Sequence, residues 1–188
     1  MMDLCYLESK AASCECCELC KGRIKPVFAR GNPKSGIVVC GMCPGFDENT
    51  KGVPFVGAAG KMLDVILGSV FKSDGCLDDL VYITNLVKCF VQPGKKLETK
   101  WMDACLSYFT VQLSLLKPKV IIGLGKDVCS YLLDINESIS NMRGNIFNYM
   151  GIKFICTYHP SYLIRGGGVK HRDFNKVVDD FKTAVGLM

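Results

Sequence analysis

The sequence predicts an α/β fold, a three-layer α/β/α sandwich with a central four-stranded parallel sheet. Three observations carry that prediction. Short apolar runs bounded by glycine or proline recur along the chain, helix-like segments fill the intervals between them, and no internal repeat or low-complexity tract interrupts the alternation. Strands are predicted in turn at 37–41 (IVVCG), 80–84 (LVYIT), 119–123 (KVIIG) and 152–157 (IKFICT). Helices are predicted at 59–71, 98–116, 126–134 and 170–185, the third opening from the glycine-rich turn Gly123-Leu124-Gly125. Residues 143–149 fit an extra strand or a hairpin arm. At 188 residues the chain has the length of one ordinary domain, so a single domain over 1–188 is expected.

Composition narrows the function classes. A hydrophobic share of 49% with 22% charged residues is that of a soluble globular protein and excludes extended disorder. No apolar run is long enough for a membrane-spanning helix, and the start MMDLCYLESK lacks a basic segment followed by an apolar one, so an intracellular, cytoplasmic protein is expected. A net charge of +5 permits a polyanionic partner on a local basic face without requiring one. Twelve cysteines in a reducing interior do not form a disulfide framework, which leaves metal or cluster ligation to account for some of them. Cys40, Cys129 and Cys156 sit among apolar residues and read as small core side chains.

In open parallel sheets, ligands gather outside the carboxyl ends of the strands, where loops and helix N-termini converge. The loops 41–58, 85–97 and 158–168 occupy those ends. The first begins GMCPGFDENTKGVPFVGAAGKMLD, from Gly41 to Asp64, and its glycines and prolines describe a backbone that turns tightly and approaches a ligand closely. The second follows a strand and reads ITNLVKC, with Asn85 at the strand end. The third reads TYHPSYLIRGGG and places His159, one of only two histidines, beside Pro160 and ahead of a glycine-rich stretch.

These three stretches, in this order, resemble the signatures of the family 4 (iron–sulfur) uracil-DNA glycosylases, and the resemblance spans about residues 14–182. It implies hydrolysis of the N-glycosidic bond of uracil in DNA, leaving free uracil and an abasic site for base-excision repair. PFVGAAGK carries the family's aromatic stacking residue, at Phe55. Asn85 falls on the uracil-reading amide, which accepts from N3–H while donating to O4; cytosine presents the opposite pattern. Gly41, Met42 and Cys43 fall beside the base. His159 falls on the histidine that hydrogen-bonds uracil O2, where charge accumulates as the bond breaks. In the same signature Leu163 and Ile164 fall where the family wedges into the duplex, with Ser161 and Arg165 facing DNA. Lys95 and Lys96, in a loop (PGKKLE) unlike the family's usual one, supply phosphate contacts. A monomer is expected.

The same resemblance implies a four-iron, four-sulfur (4Fe-4S) cluster. Cys89 and Cys105 match its last two ligands. The segment CECCELC offers two pairs at the right spacing, Cys14 with Cys17 and Cys17 with Cys20; counting back without gaps from VFARGNP favours Cys14 and Cys17. The spacing is unlike a zinc ribbon, although thiolates also bind zinc. Base removal needs no redox chemistry, so the cluster reads as a staple for the N-terminal segment.

One position departs from the family. Its first signature usually opens Gly-Glu, and that glutamate positions the attacking water; here Met42 takes its place and cannot accept a proton. Glu48, and after it Asp47, are the nearest acids to serve instead. The substitution raises two rival expectations: a catalytically weak or silent uracil-binding or DNA-binding homologue, and a glycosylase whose pocket, altered at Cys43, takes another deaminated base. A cluster-bearing redox protein would leave TYHPSYLIR unexplained.

Overall fold

The computed structural model describes residues 3–72 and 76–188. Its elements in chain order are α1 (Leu4–Ala12), β1 (Ala29–Gly31), β2 (Ile37–Gly41), α2 (Phe46–Lys51), α3 (Ala58–Phe71), β3 (Tyr82–Asn85), α4 (Thr99–Leu116), β4 (Val120–Leu124), α5 (Lys126–Leu133), α6 (Ile139–Met142), β5 (Ile146–Tyr149), β6 (Ile152–Thr157), α7 (Pro160–Arg165) and α8 (Phe174–Gly186).

The strands form one sheet in the order β1-β3-β2-β4-β6-β5. The four predicted strands are its parallel centre, in register through Cys40 opposite Thr84 and Gly123, and Gly123 opposite Cys156. The sheet is larger than expected, because β1 pairs antiparallel with β3 and β5 antiparallel with β6 at the two edges. β5 lies within 143–149, the stretch that fitted a hairpin arm, and its residues are half-buried or exposed.

Side chains alternate across the pleat, so each central strand feeds two cores. Val38, Cys40, Ile121, Phe154 and Cys156 face α4 and α5, packing with Trp101, Phe109, Val128 and Leu132. Ile37, Val39, Ile83, Ile122 and Ile155 face α3, α7 and α8, packing with Leu63, Ile66, Val177 and Phe181. Together the two cores make the predicted three layers. Cys40, Cys129 and Cys156 are fully buried, as their apolar neighbours implied.

Four helices, α1, α2, α6 and α7, lie outside the predicted set. α1 is capped by Asp3, whose carboxylate accepts from the Tyr6 amide at 2.8 Å. α7 occupies what reads in sequence as a flexible loop; His159 is its N-cap and Pro160 takes the first-turn position that tolerates a missing amide hydrogen. The last helix starts four residues later than predicted, at Phe174, after a single tight turn at Gly168–Lys170. Among the described residues no helix is long and apolar enough to cross a membrane.

The chain leaves β2 toward β3 on one side and returns to β4 on the other. Such a reversal opens a crevice at the carboxyl ends of the strands. The loops after β2, β3, β4 and β6 meet there.

Candidate active site

Beyond the strand ends, the Leu86 amide donates to Gly41 O and the Val87 amide to Met42 O, both at 2.9 Å. This extension holds Met42 and Asn85 side by side. Gly41 is opposite Asn85 in the ladder, and a Cβ there would lie 2.4 Å from Asn85 Oδ1 and 2.7 Å from the Phe55 ring. Only glycine lets the amide and the ring converge.

Phe55 itself has a φ of +54°, a left-handed conformation costing a non-glycine residue on the order of 1–3 kcal/mol. Its surroundings enforce it. The Val56 and Gly57 amides donate to Glu48 Oε1 at 2.9 and 2.8 Å. Arg30, paired with Asp64 at 2.8 Å and with Asp78, reaches the Phe55 carbonyl at 3.4 Å. Gly60 packs so closely that a Cβ would come within 1.8 Å of that carbonyl oxygen. Glu48 is therefore a buried anchor for the turn that carries the ring.

Asn85 is 2% exposed, yet among the described residues its Oδ1 has no hydrogen-bond partner. An unmet buried acceptor is costly, and such groups call for an explanation by ligand or water. The backbone behind it is rigid: buried Lys88 donates from Nζ to the Asn85 carbonyl at 2.6 Å, to Thr84 Oγ1 at 2.8 Å and to Gln112 Oε1 at 2.7 Å. Burial lowers the Lys88 ammonium to about 8, with Cys40 and Cys105 acting the other way.

His159 faces the same space. The Ser161 amide donates to its Nδ1 at 3.1 Å, and the Ser161 hydroxyl stands 2.8 Å from the same nitrogen. An amide can only donate, so Nδ1 is unprotonated and the proton sits on Nε2. Burial, then Arg165, lowers the ring's pKa to about 4 against the opposing pull of Asp127 and Glu48. At neutral pH the ring is an uncharged Nε2–H donor.

Phe55, Asn85, His159, Met42, Cys43 and Glu48 line one cleft of about 650 Å³. The Phe55 and His159 rings stand 6.1 Å apart, centroid to centroid, tilted by 35°. Burial, then Asp127, pushes the Cys43 thiol up to about 11, which leaves it neutral and unfit as a base.

The model of the uracil DNA glycosylase superfamily matches residues 28–182, most of the chain. A type-4 uracil-DNA glycosylase of Saccharolobus solfataricus is 35% identical over 94% of this chain and 86% of its own length. The chain belongs to this glycosylase family. Type-4 uracil-DNA glycosylases of Thermotoga maritima (34% identical, covering 85% of this chain and 82% of the relative) and Archaeoglobus fulgidus (32%, 88% and 86%) are similarly close.

Within this type-4 glycosylase fold the remaining predicted positions divide. Arg165, Ser161 and Lys95 line the cleft, and Lys96 lines an adjoining groove. Ile164 is exposed, but Leu163 is fully buried against the α3/α8 core, which corrects its placement as a wedge: helix α7 turns it inward. Ser161 is engaged with His159 rather than turned outward. Asp47 is exposed and lies outside the cleft lining. Asp127 and Lys126, at the start of α5, line the cleft and were missed in sequence; the turn at Gly123–Gly125 was the available signal.

Cys14, Cys16, Cys17, Cys20, Cys89 and Cys105 line a second, small cavity with Arg23 and Lys88. Arg23 Nη1 donates to Cys89 Sγ at 3.3 Å. Burial raises the Cys14 thiol, but hydrogen bonds from Tyr108 and Cys16, with Arg23, outweigh it and leave the thiol below its ordinary value. Among the described residues no three ligand groups stand in metal-binding geometry. The donor set is nonetheless all sulfur, which is the chemistry of iron–sulfur and zinc centres.

Proposed function

We propose that the chain is a uracil-DNA glycosylase of base-excision repair, a monomeric intracellular single-domain enzyme that releases free uracil from DNA and leaves an abasic site. The observation that carries this reading is the unpartnered, buried Asn85 Oδ1 in the cleft that also holds Phe55 and His159. Uracil N3–H supplies the missing donor. Its ring stacks on Phe55, and a flipped nucleotide reaches both groups at a cost of about a few kcal/mol in unstacking.

As the bond between C1′ and N1 lengthens, negative charge grows on uracil O2, and His159 Nε2–H donates to it. A neutral ring suits this role, since it stabilises the anion without surrendering its proton. Glu48 Oε1 is committed to the Phe55 turn, leaving Oε2 to orient the water that adds to C1′. Arg165, Lys95 and Lys96 hold backbone phosphates, and Ile164 alone fills the gap left by the flipped base. A 4Fe-4S cluster held by Cys14, Cys17, Cys89 and Cys105 supplies a structural crosslink and no step of the reaction. The ungapped count back from VFARGNP supports that choice over Cys20, which lines the same cavity.

The test is incubation with a uracil-bearing oligonucleotide, followed by alkali. The natural chain is expected to give alkali-labile strands, and His159→Ala to slow cleavage about a hundred- to a thousandfold. Met42 favours a second reading, a silent binder, which would retard the oligonucleotide without cleaving it. Hypoxanthine and xanthine substrates cleaved in place of uracil would instead mark a pocket retuned at Cys43.

A further inference from the structure

The mouth of the cleft carries a feature that uracil recognition leaves unused. Phe46, the first residue of α2, is 67% exposed, the most exposed aromatic side chain among the described residues. Its ring stands edge-on to Phe90, with centroids 6.2 Å apart and planes at 74°. Phe90 follows Cys89 directly and lines the cleft, as does Lys95 further along the same loop. Phe46 lies outside the cleft lining and joins it through Phe90, so this part of the rim presents two aromatic rings. The Lys95 ammonium and the Arg165 guanidinium line the same cleft.

A ring left this far in water contributes little to folding, and the rest of α2 is polar. Single exposed apolar residues are ordinary; a paired aromatic step at the rim of a cleft is a contact surface. The edge-to-face packing on Phe90 also restrains the plane of Phe46, so the face turned to solvent is held ready.

We propose that Phe46, backed by Phe90, is a stacking platform for the nucleobase adjacent to the flipped uracil. The proposal rests on the glycosylase reading and extends it from one nucleotide to two. Extruding uracil leaves its neighbour with a bare π face, and an aromatic ring accepts any base there, so the platform is indifferent to sequence. The occupant is a nucleobase rather than an apolar protein segment because Lys95 and Arg165 line the same cleft and match the phosphates on either side.

Single strands carrying a cleavage-resistant 2′-fluorinated deoxyuridine test this by equilibrium binding. One strand has natural bases on both sides of the uridine; two others replace the 5′ or the 3′ neighbour with an abasic tetrahydrofuran spacer. Phe46→Ala is expected to bind the natural strand about tenfold more weakly, and Phe46→Trp to restore the affinity. With a spacer in the platform's position, the natural chain and Phe46→Ala should bind alike. Equal affinity of the two proteins for the natural strand would overturn the platform, as would an equal loss on all three strands. Because binding is read on an uncleavable strand, the platform stands or falls separately from cleavage: a chain with this binding pattern that releases no uracil retains the platform and loses the glycosylase reading.

Discussion

At the scale of single residues, His159 decides the pH behaviour. Its pKa in the folded chain is about 4, against an ordinary value of 6.5. Between those values the unfolded chain binds the proton and the folded chain does not, so stability is fullest above 6.5 and declines as the pH falls through that window. Thermal melting from pH 8 to 4 should show this acid-side loss, and His159→Gln should flatten it. Single-turnover cleavage should hold its rate below pH 6.5 and fall only toward pH 4, because the ring stays neutral until then; a midpoint near 6.5 would mean that the ring is solvated in the complex. Met42, 8% exposed and packed in the α4-side core, is the second decisive residue. Met42→Glu is expected to lower the melting temperature, since a carboxylate enters an apolar site, while equalling or raising the cleavage rate.

At the scale of elements, the turn between α2 and α3 converts a carboxylate into the position of a ring. Removing the acceptor in Glu48→Ala leaves two amides and a strained Phe55 unsupported, with an expected loss of about 2–3 kcal/mol and of most activity. Glu48→Gln keeps the Oε1 acceptor but replaces Oε2 with a donor. It should therefore melt near the natural chain while cleaving about tenfold or more slowly, the signature of water orientation added to anchoring. Elements differ in how much of this was legible. The four parallel strands announce themselves as apolar runs because both faces are buried. β1 is an edge strand of half-buried residues and α1 has a mostly polar surface, so neither left an apolar signal. β5, half-exposed at the other edge, was legible only as the extra strand or hairpin arm expected at 143–149. α7 was hidden because Pro160 and the glycines at 166–168 read as loop chemistry, when the proline is an N-terminal helix residue. That one misreading sent Leu163 to the DNA. The convergence of Phe55, Asn85 and His159 followed from strand ends and signatures, whereas the anchoring of Phe55 by Glu48 and Arg30 depends on three-dimensional contacts that no local pattern encodes.

At the scale of the molecule, the reversal of strand order at β2 gathers four loops into one cleft, and the cysteine-lined cavity lies behind it. Lys88 connects the two, since it lines that cavity and donates to the Asn85 carbonyl. Cys17 belongs to either candidate ligand pair. Cys17→Ser is expected to reduce bound iron and to expose the N-terminal segment to proteolysis, with the 37–41 strand core still folded; full iron content would remove Cys17 from the centre. The central claim, however, concerns the cleft. A crystal structure of His159→Ala bound to a uracil-containing oligonucleotide tests it most directly. The account predicts an extruded uracil stacked on Phe55, with N3 within about 3 Å of Asn85 Oδ1; a uracil still stacked within the strand, or seated away from Asn85, would contradict it.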